Sequence, residues 1–194
     1  MKSFADVLQR SMVLNPASRH KVMNNFWLKS RDPPEEVFNI LRLKDKDFED
    51  NPLLLRYAKL YGRKVEGTTF SELQAFSFLL NANVDTKLLG VELQTIKQIP
   101  DLKKFAQNIQ ARLFRYNMNN NRVKPDRSGM LLANPRPDWG YIFKLPKTDP
   151  MYATLNAYTL QYAAERGGHI MFRQVKGLFA NNDQDAAITA ATKA

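Results

Sequence analysis

Cysteine is missing altogether from this chain, which excludes a disulfide framework, a thiolate metal site and a cysteine nucleophile. Histidine is nearly missing. His20 and His169 are the only two, too few for a multi-histidine metal site. No apolar run approaches the roughly 18–20 residues of a membrane span. The opening MKSFADVLQRSMVL carries a lysine but no continuous apolar region and no small-residue cleavage site, so as it stands it does not read as a signal peptide. There is no Asn-x-Ser/Thr sequon either. Together these absences point to a chain that lives in, or ends up in, a reducing compartment. Glycine is scarce, eight in 194 residues, and no alternating apolar–polar strand pattern stands out, which leaves helix as the main local structure.

Catalytic constellations are also lacking. Asp45, Asp47, Glu49 and Asp50 alternate with lysines in LKDKDFED. That stretch has neither the glycine nor the terminal glutamate spacing of a calcium loop and reads as a solvated connection. RGGH at Arg166–His169 contains no phosphate-loop pattern, and its glycines read as a helix stop. The expectation is a protein without enzymatic activity, metal or cofactor.

Positive charge, by contrast, is abundant. The net charge is +10 and the pI about 9.8, which favours acidic partners without naming one. Lys97–Arg127 alone holds eight basic residues against Asp101 and Asp126.

Helix signals fill the rest. Ser3-x-x-Asp6 opens a short amphipathic helix, and Ala17–Lys29 carries Val22, Met23, Phe26 and Trp27 at helical spacing. Asp32-Pro33-Pro34-Glu35 reads as an N-cap, a first-turn proline and a capping-box glutamate, followed by the apolar positions Val37, Phe38, Ile40, Leu41 and Leu43. Asn51-Pro52 starts a helix with Leu54, Leu55, Ala58 and Tyr61 inward, and Gly62 as its stop. Thr69-x-x-Glu72 opens another, with Phe70, Leu73, Phe76 and Leu80 on one face. Further helices are expected over Asp85–Gln98, from Pro100-Asp101 to about Met118, and from Asp149-Pro150 to the Gly167-Gly168 pair. Asn119–Pro137 reads as a linker, and the tail beyond Ala180 as frayed or disordered. The fold class is all-α, a helical bundle of seven to nine helices. Its expected organisation is an N-terminal part over 1–62, a middle segment over 63–133, a compressed second module over 134–180 and a flexible tail over 181–194.

Two stretches echo each other. Trp27 is followed by EEVFNILRL and then by NPLLLRYAKLY, and Trp139 by GYIFKL and then by DPMYATLNAYTLQY. Each has a tryptophan, a short apolar helix, an Asx-Pro start and a tyrosine-bearing helix, which is the mark of a duplicated unit. The spacing shortens from 24 residues (Trp27 to Asn51) to 10 (Trp139 to Asp149), so the second copy is compressed. FWLKSRDPPEEVFNILRLKDKDFEDNP and DPMYATLNAYTLQYAAERGG resemble the WY modules of RXLR effectors secreted by plant-pathogenic oomycetes such as Phytophthora. The likeness covers about residues 20–62 and, less closely, 134–170. It implies two WY-like helical modules whose core residues are Trp27 with Tyr57 or Tyr61, and Trp139 with Tyr158. It also implies secretion by the pathogen and action in the cytoplasm or nucleus of the host cell, on a host plant protein whose identity lies in a divergent surface. The secretion signal and the Arg-x-Leu-Arg motif of that family are not in this sequence.

Two binding features remain. Lys103, Lys104, Arg112 and Arg115, with Phe114 and Tyr116, could follow a phosphate backbone with stacking, which makes a basic nucleic-acid-binding module the alternative function. The same helix reads more simply as an apolar stripe of Phe105, Ile109, Leu113 and Tyr116 under a wet cationic face, so nucleic acid is not the expected partner. Asp138-Trp139-Gly140-Tyr141-Ile142 matches the short motif that docks on ubiquitin-like autophagy adaptors by strand addition, with Trp139 and Ile142 filling pockets. The apolar run Tyr141–Leu145 argues for a buried Trp139 instead. Self-association into a homo-oligomer is open.

Overall fold

The computed structural model describes residues 16–40, 51–64, 71–81, 86–127 and 139–194. Among them are nine helices and no strand, and the all-α expectation holds. The helices are α1 (Pro16–Ser30), α2 (Pro34–Ile40), α3 (Asn51–Lys64), α4 (Glu72–Asn81), α5 (Thr86–Ile96), α6 (Lys103–Asn119), α7 (Trp139–Lys144), α8 (Pro150–Ala180) and α9 (Gln184–Thr192). The chain divides into two compact units, Met1–Asn83 and Val84–Ala194. The stretch 63–133, read from the sequence as one middle segment, is therefore shared between them. The expected helix over Ser3–Val13 and the acidic connection Asp45–Asp50 lie outside the described residues.

In the first unit, α3 packs against both α1 and α2. Met23, Trp27, Val37, Phe38, Leu53, Leu54, Tyr57 and Ala58 are all buried, so each helix contributes one apolar stripe to a shared core. Helix α2 starts one residue later than its caps suggested. Pro33 O accepts from Glu36 N–H and Val37 N–H, and Pro34 is the first helical residue. Asp32 Oδ2 is turned back to accept from Ser30 Oγ at 2.6 Å. Gly62 does not stop α3, which runs to Lys64 with Gly62 buried inside it. The start of α4 likewise moves from Thr69 to Ser71, where a reciprocal capping box forms. Gln74 N–H donates to Ser71 Oγ at 3.2 Å and Ser71 N–H to Gln74 Oε1 at 2.9 Å. Leu73 faces outward, 53% exposed, while Ala75, Phe76 and Leu79 are buried. Phe78 meets Phe38 edge-to-face at 5.3 Å.

In the second unit α8 contacts α5, α6, α7 and α9. Asp149 caps it as expected, its Oδ1 accepting from Met151 N–H at 2.8 Å, with Pro150 in the first turn. The Gly pair turns the helix rather than ending it. Gly168 sits at φ 69° and ψ −165°, and helix resumes at once and continues to Ala180. That backbone region is open essentially to glycine alone. Nothing lies within 4 Å of a Cβ built on Gly168, so Gly168→Ala tests the backbone without a steric clash. It should lower stability by about 1–3 kcal/mol in urea unfolding. Gly177→Ala, also with open space around its Cβ but in ordinary helix, should raise stability by up to about 1 kcal/mol. Equal effects of the two would refute the account of the corner.

The tail is the largest correction. Residues 184–192 form α9, capped by Asp183, whose Oδ1 accepts from Ala186 N–H at 3.2 Å. Ala187, Ile188 and Ala191 are buried, and the two alanines join Ala163, Val175 and Phe179 in one cluster. Alanine contributes little to an apolar periodicity, so the stripe is faint in the sequence. Yet alanine is the best helix former and its small side chain lets helices approach closely.

Candidate functional site

Among the described residues no group of three or more acidic or histidine side chains is placed to hold a metal ion. What recurs is an aromatic cluster, one in each unit. In the first, Trp27 of α1 is fully buried and meets Tyr57 of α3 edge-to-face, ring centroids 5.4 Å apart. Tyr61, one turn on, lies 5.9 Å from Tyr57 and tilted to it. Of the two tyrosines open as partners of Trp27, Tyr57 makes the contact. Its hydroxyl donates to the backbone carbonyl of Asp32. Burial, then the charge of Asp32, pushes that hydroxyl above the ordinary tyrosine range.

The carbonyl is in reach because of how α1 ends. Arg31 takes the left-handed conformation, φ 59°, and Asp32 N–H donates back to Trp27 O at 3.2 Å. This is the six-residue closure of a Schellman motif, here with arginine where glycine is usual. The closure reverses the chain and turns Asp32 O towards Tyr57.

The second unit repeats the device with different residues. Tyr158 of α8 is 1% exposed and meets Phe114 of α6 edge-to-face at 5.1 Å, with Tyr162 one turn on at 6.4 Å. Tyr158 Oη donates to Val123 O at 2.8 Å. Arg122, immediately before Val123, is again left-handed, φ 51°, and Val123 N–H donates back to Asn117 O at 3.1 Å. That closure is one residue wider than in the first unit. Burial, then the neighbouring Tyr162 hydroxyl, pushes the Tyr158 hydroxyl up, while Arg166 works the other way. Arg166 also donates to Asn119 Oδ1 at 2.8 Å, at the end of α6.

The tyrosine half of the second cluster is where the sequence put it, but Phe114 comes from outside the expected module 134–180. What sequence reasoning missed is the place of Phe114, Val123 and Tyr162 around Tyr158. A signal existed: Arg122-Val123-Lys124-Pro125 parallels Arg31-Asp32-Pro33, an arginine shortly before a proline at a helix end. Trp139 opens α7, and its side chain lies outside what is described.

Ile142, on the same short helix, is 1% exposed and packs with Tyr152, Leu155 and Ile188. This corrects the adaptor-motif reading. Strand addition needs an extended segment with both anchors free, and here the second anchor is buried on a helix.

The basic segment is also reordered. Lys103 and Lys104 are exposed and Arg112 is half-buried, while Arg115 Nε pairs with Glu165 Oε1 at 2.8 Å. Of the two rings that stacking on bases would use, Phe114 is 3% exposed and faces Tyr158, and Tyr116 is half-buried. Phe114 is therefore not available along α6 for the stacking that the sequence suggested.

The chain is 36% identical over its whole length to RxLR effector protein PexRD18 of Phytophthora infestans. It is a homologue of the oomycete RxLR effectors. RxLR effector protein 54 of the same organism matches 42% of the chain at 44% identity. The chain spans 41% of the length of the first relative and 23% of the second. No protein-family model matches it, and no solved structure does. No described helix of this effector homologue is long and apolar enough to cross a membrane.

Proposed function

We propose that this chain is the helical scaffold of a virulence effector, secreted by the pathogen, that binds a host plant protein inside the host cell and suppresses defence without catalysis. The observation that carries the reading is the whole-length identity to an RxLR effector. The geometry supports it. Trp27, Tyr57, Phe114 and Tyr158, the side chains best suited to grip a ligand, are each 3% exposed or less and are spent on the fold. Function then falls to the surface, where Lys103, Lys104 and Arg112 offer cations for an acidic protein face. The nucleic-acid alternative is weaker, because the segment that suggested it buries its phenylalanine and pairs one of its arginines.

Affinity purification of the tagged chain from plant leaf tissue tests the reading, with Lys103→Glu, Lys104→Glu and Arg112→Glu combined as the comparison. A plant protein retained by the native chain and lost with the variant is the expected result. Retention of nucleic acid alone, released by raising salt as phosphate contacts require, would put the alternative first.

A further inference from the structure

Helix α8 turns its corner on a single residue. Ala163, before Gly168, shares a buried cluster with Val175 and Phe179 beyond it and with Ala187 and Ala191 of α9. Along a straight helix Ala163 and Val175 would stand about 18 Å apart, at 1.5 Å per residue. They join one cluster because the corner folds residues 169–192 back on residues 150–167, and Ile188 reaches Tyr152 and Leu155 in the same way. No loop intervenes, since helix runs up to Gly168 and resumes directly after it.

Both glycines of the corner are required by the bend, and neither by a straight helix. Gly168, at φ 69° and ψ −165°, occupies backbone angles open essentially to glycine alone. Gly167 is required for a steric reason. A Cβ built on it lies 2.6 Å from Met171 Cβ, well inside the distance at which two carbons pack. In a continuous helix residues 167 and 171 stand one turn apart, about 5–6 Å between Cβ atoms. Alanine is then favoured over glycine at both positions.

Ile170 is a second, independent observation. It is 83% exposed, the most exposed of the large apolar side chains described. In a straightened α8 it would follow Ala163 by about two turns and Thr159 by about three. Both of those residues are fully buried, so straightening places Ile170 on the extension of a stripe that packing already uses.

We propose that Gly168 is a swap hinge and that the partner it serves is a second copy of this chain. With the corner straightened, α8 is one continuous helix and residues 169–192 leave their own chain. The face they vacate, around Tyr152, Leu155 and Ala163, takes residues 169–192 of the second copy, which carry the same complementary side chains. Reciprocal exchange restores the contacts of the folded chain, so the two forms differ only at the corner and where the two helices cross. That crossing lies beside residue 168 in each copy, and there each Ile170 is covered by the opposite helix. A hinge this short and under backbone strain favours exchange, and lost freedom of association opposes it, so the swapped form grows with concentration.

The test measures the dimerisation constant by sedimentation, from micromolar to millimolar chain, for the native protein and for Gly167→Ala, Gly168→Ala and Gly177→Ala. At low concentration Gly168→Ala remains the weakened monomer described above. Gly167→Ala and Gly168→Ala should each dimerise at least about tenfold more tightly than the native chain, because two corners per dimer are relieved. Gly177→Ala, in ordinary helix, should leave the constant unchanged, and Ile170→Asp added to Gly168→Ala should reverse the gain. Isotope-filtered NMR of dimers mixed from labelled and unlabelled chains should place the contacts of Ile188 with Tyr152 and Leu155 between chains. Unchanged constants, or dimers in which those contacts stay within one chain, would overturn the proposal. So would unfolding of both corner variants without pairing, because the straight helix would then not be an accessible state.

Discussion

Trp27→Ala is expected to remove about 3–5 kcal/mol of stability, the range for deleting a large buried aromatic side chain. Trp27 is fully buried, and its ring rests on the edge of Tyr57, whose hydroxyl is already committed to Asp32 O. Tyr57 is therefore not free to move into the space. The void would also loosen the chain reversal that starts at Trp27 O. Urea unfolding followed by far-ultraviolet circular dichroism measures the loss, since the substitution removes a main fluorophore. Hydrogen exchange locates it, and amide protection should fall in α1 and α3. An alanine variant as stable as the native chain would mean that the ring is not part of the core.

Phe114→Ala should have an effect of the same order, about 3–5 kcal/mol, but with protection lost in α6 and the first half of α8. Phe114 is 3% exposed and packs with Met118, Tyr158 and Tyr162. This experiment also separates two accounts of the second cluster. If Tyr158 depends on Phe114 for its packing, the substitution should expose Tyr158 to solvent, which near-ultraviolet circular dichroism of the tyrosine band would register. If the band and the stability are unchanged, Phe114 is not the ring that holds Tyr158.

Much of the fold was legible because its signals are local. Asp149-Pro150 placed a helix start correctly because a cap and a first-turn proline act within a few residues. The pairing of Trp27 with Tyr57 or Tyr61 came from the resemblance to WY modules, and Tyr57 is the ring that meets it edge-to-face. What escaped depends on distance or on weak side chains. Phe114 and Tyr158 lie in segments separated by a proline-rich stretch, and only the fold brings the rings to 5.1 Å. Gly168 looked like a stop because glycine ends helices far more often than it bends them, and the continuation to Ala180 is set by Val175 and Phe179 packing on Ala163. Helix α9 was missed because alanine registers weakly as an apolar residue, although it packs more closely than most.

The acceptor of each tyrosine hydroxyl is a main-chain oxygen, and its consequence is evolutionary. Asp32 and Val123 perform the same task with side chains that share neither charge nor polarity. Every amino acid brings the carbonyl that the tyrosine needs, so the anchor itself does not depend on either side chain, while Asp32 Oδ2 separately accepts from Ser30 and Val123 packs on the Phe114 cluster. The tyrosine anchor can therefore persist through any substitution that these further contacts tolerate. A fold anchored this way keeps its core tyrosines in place by the main chain, whatever the side chains of the two turns become.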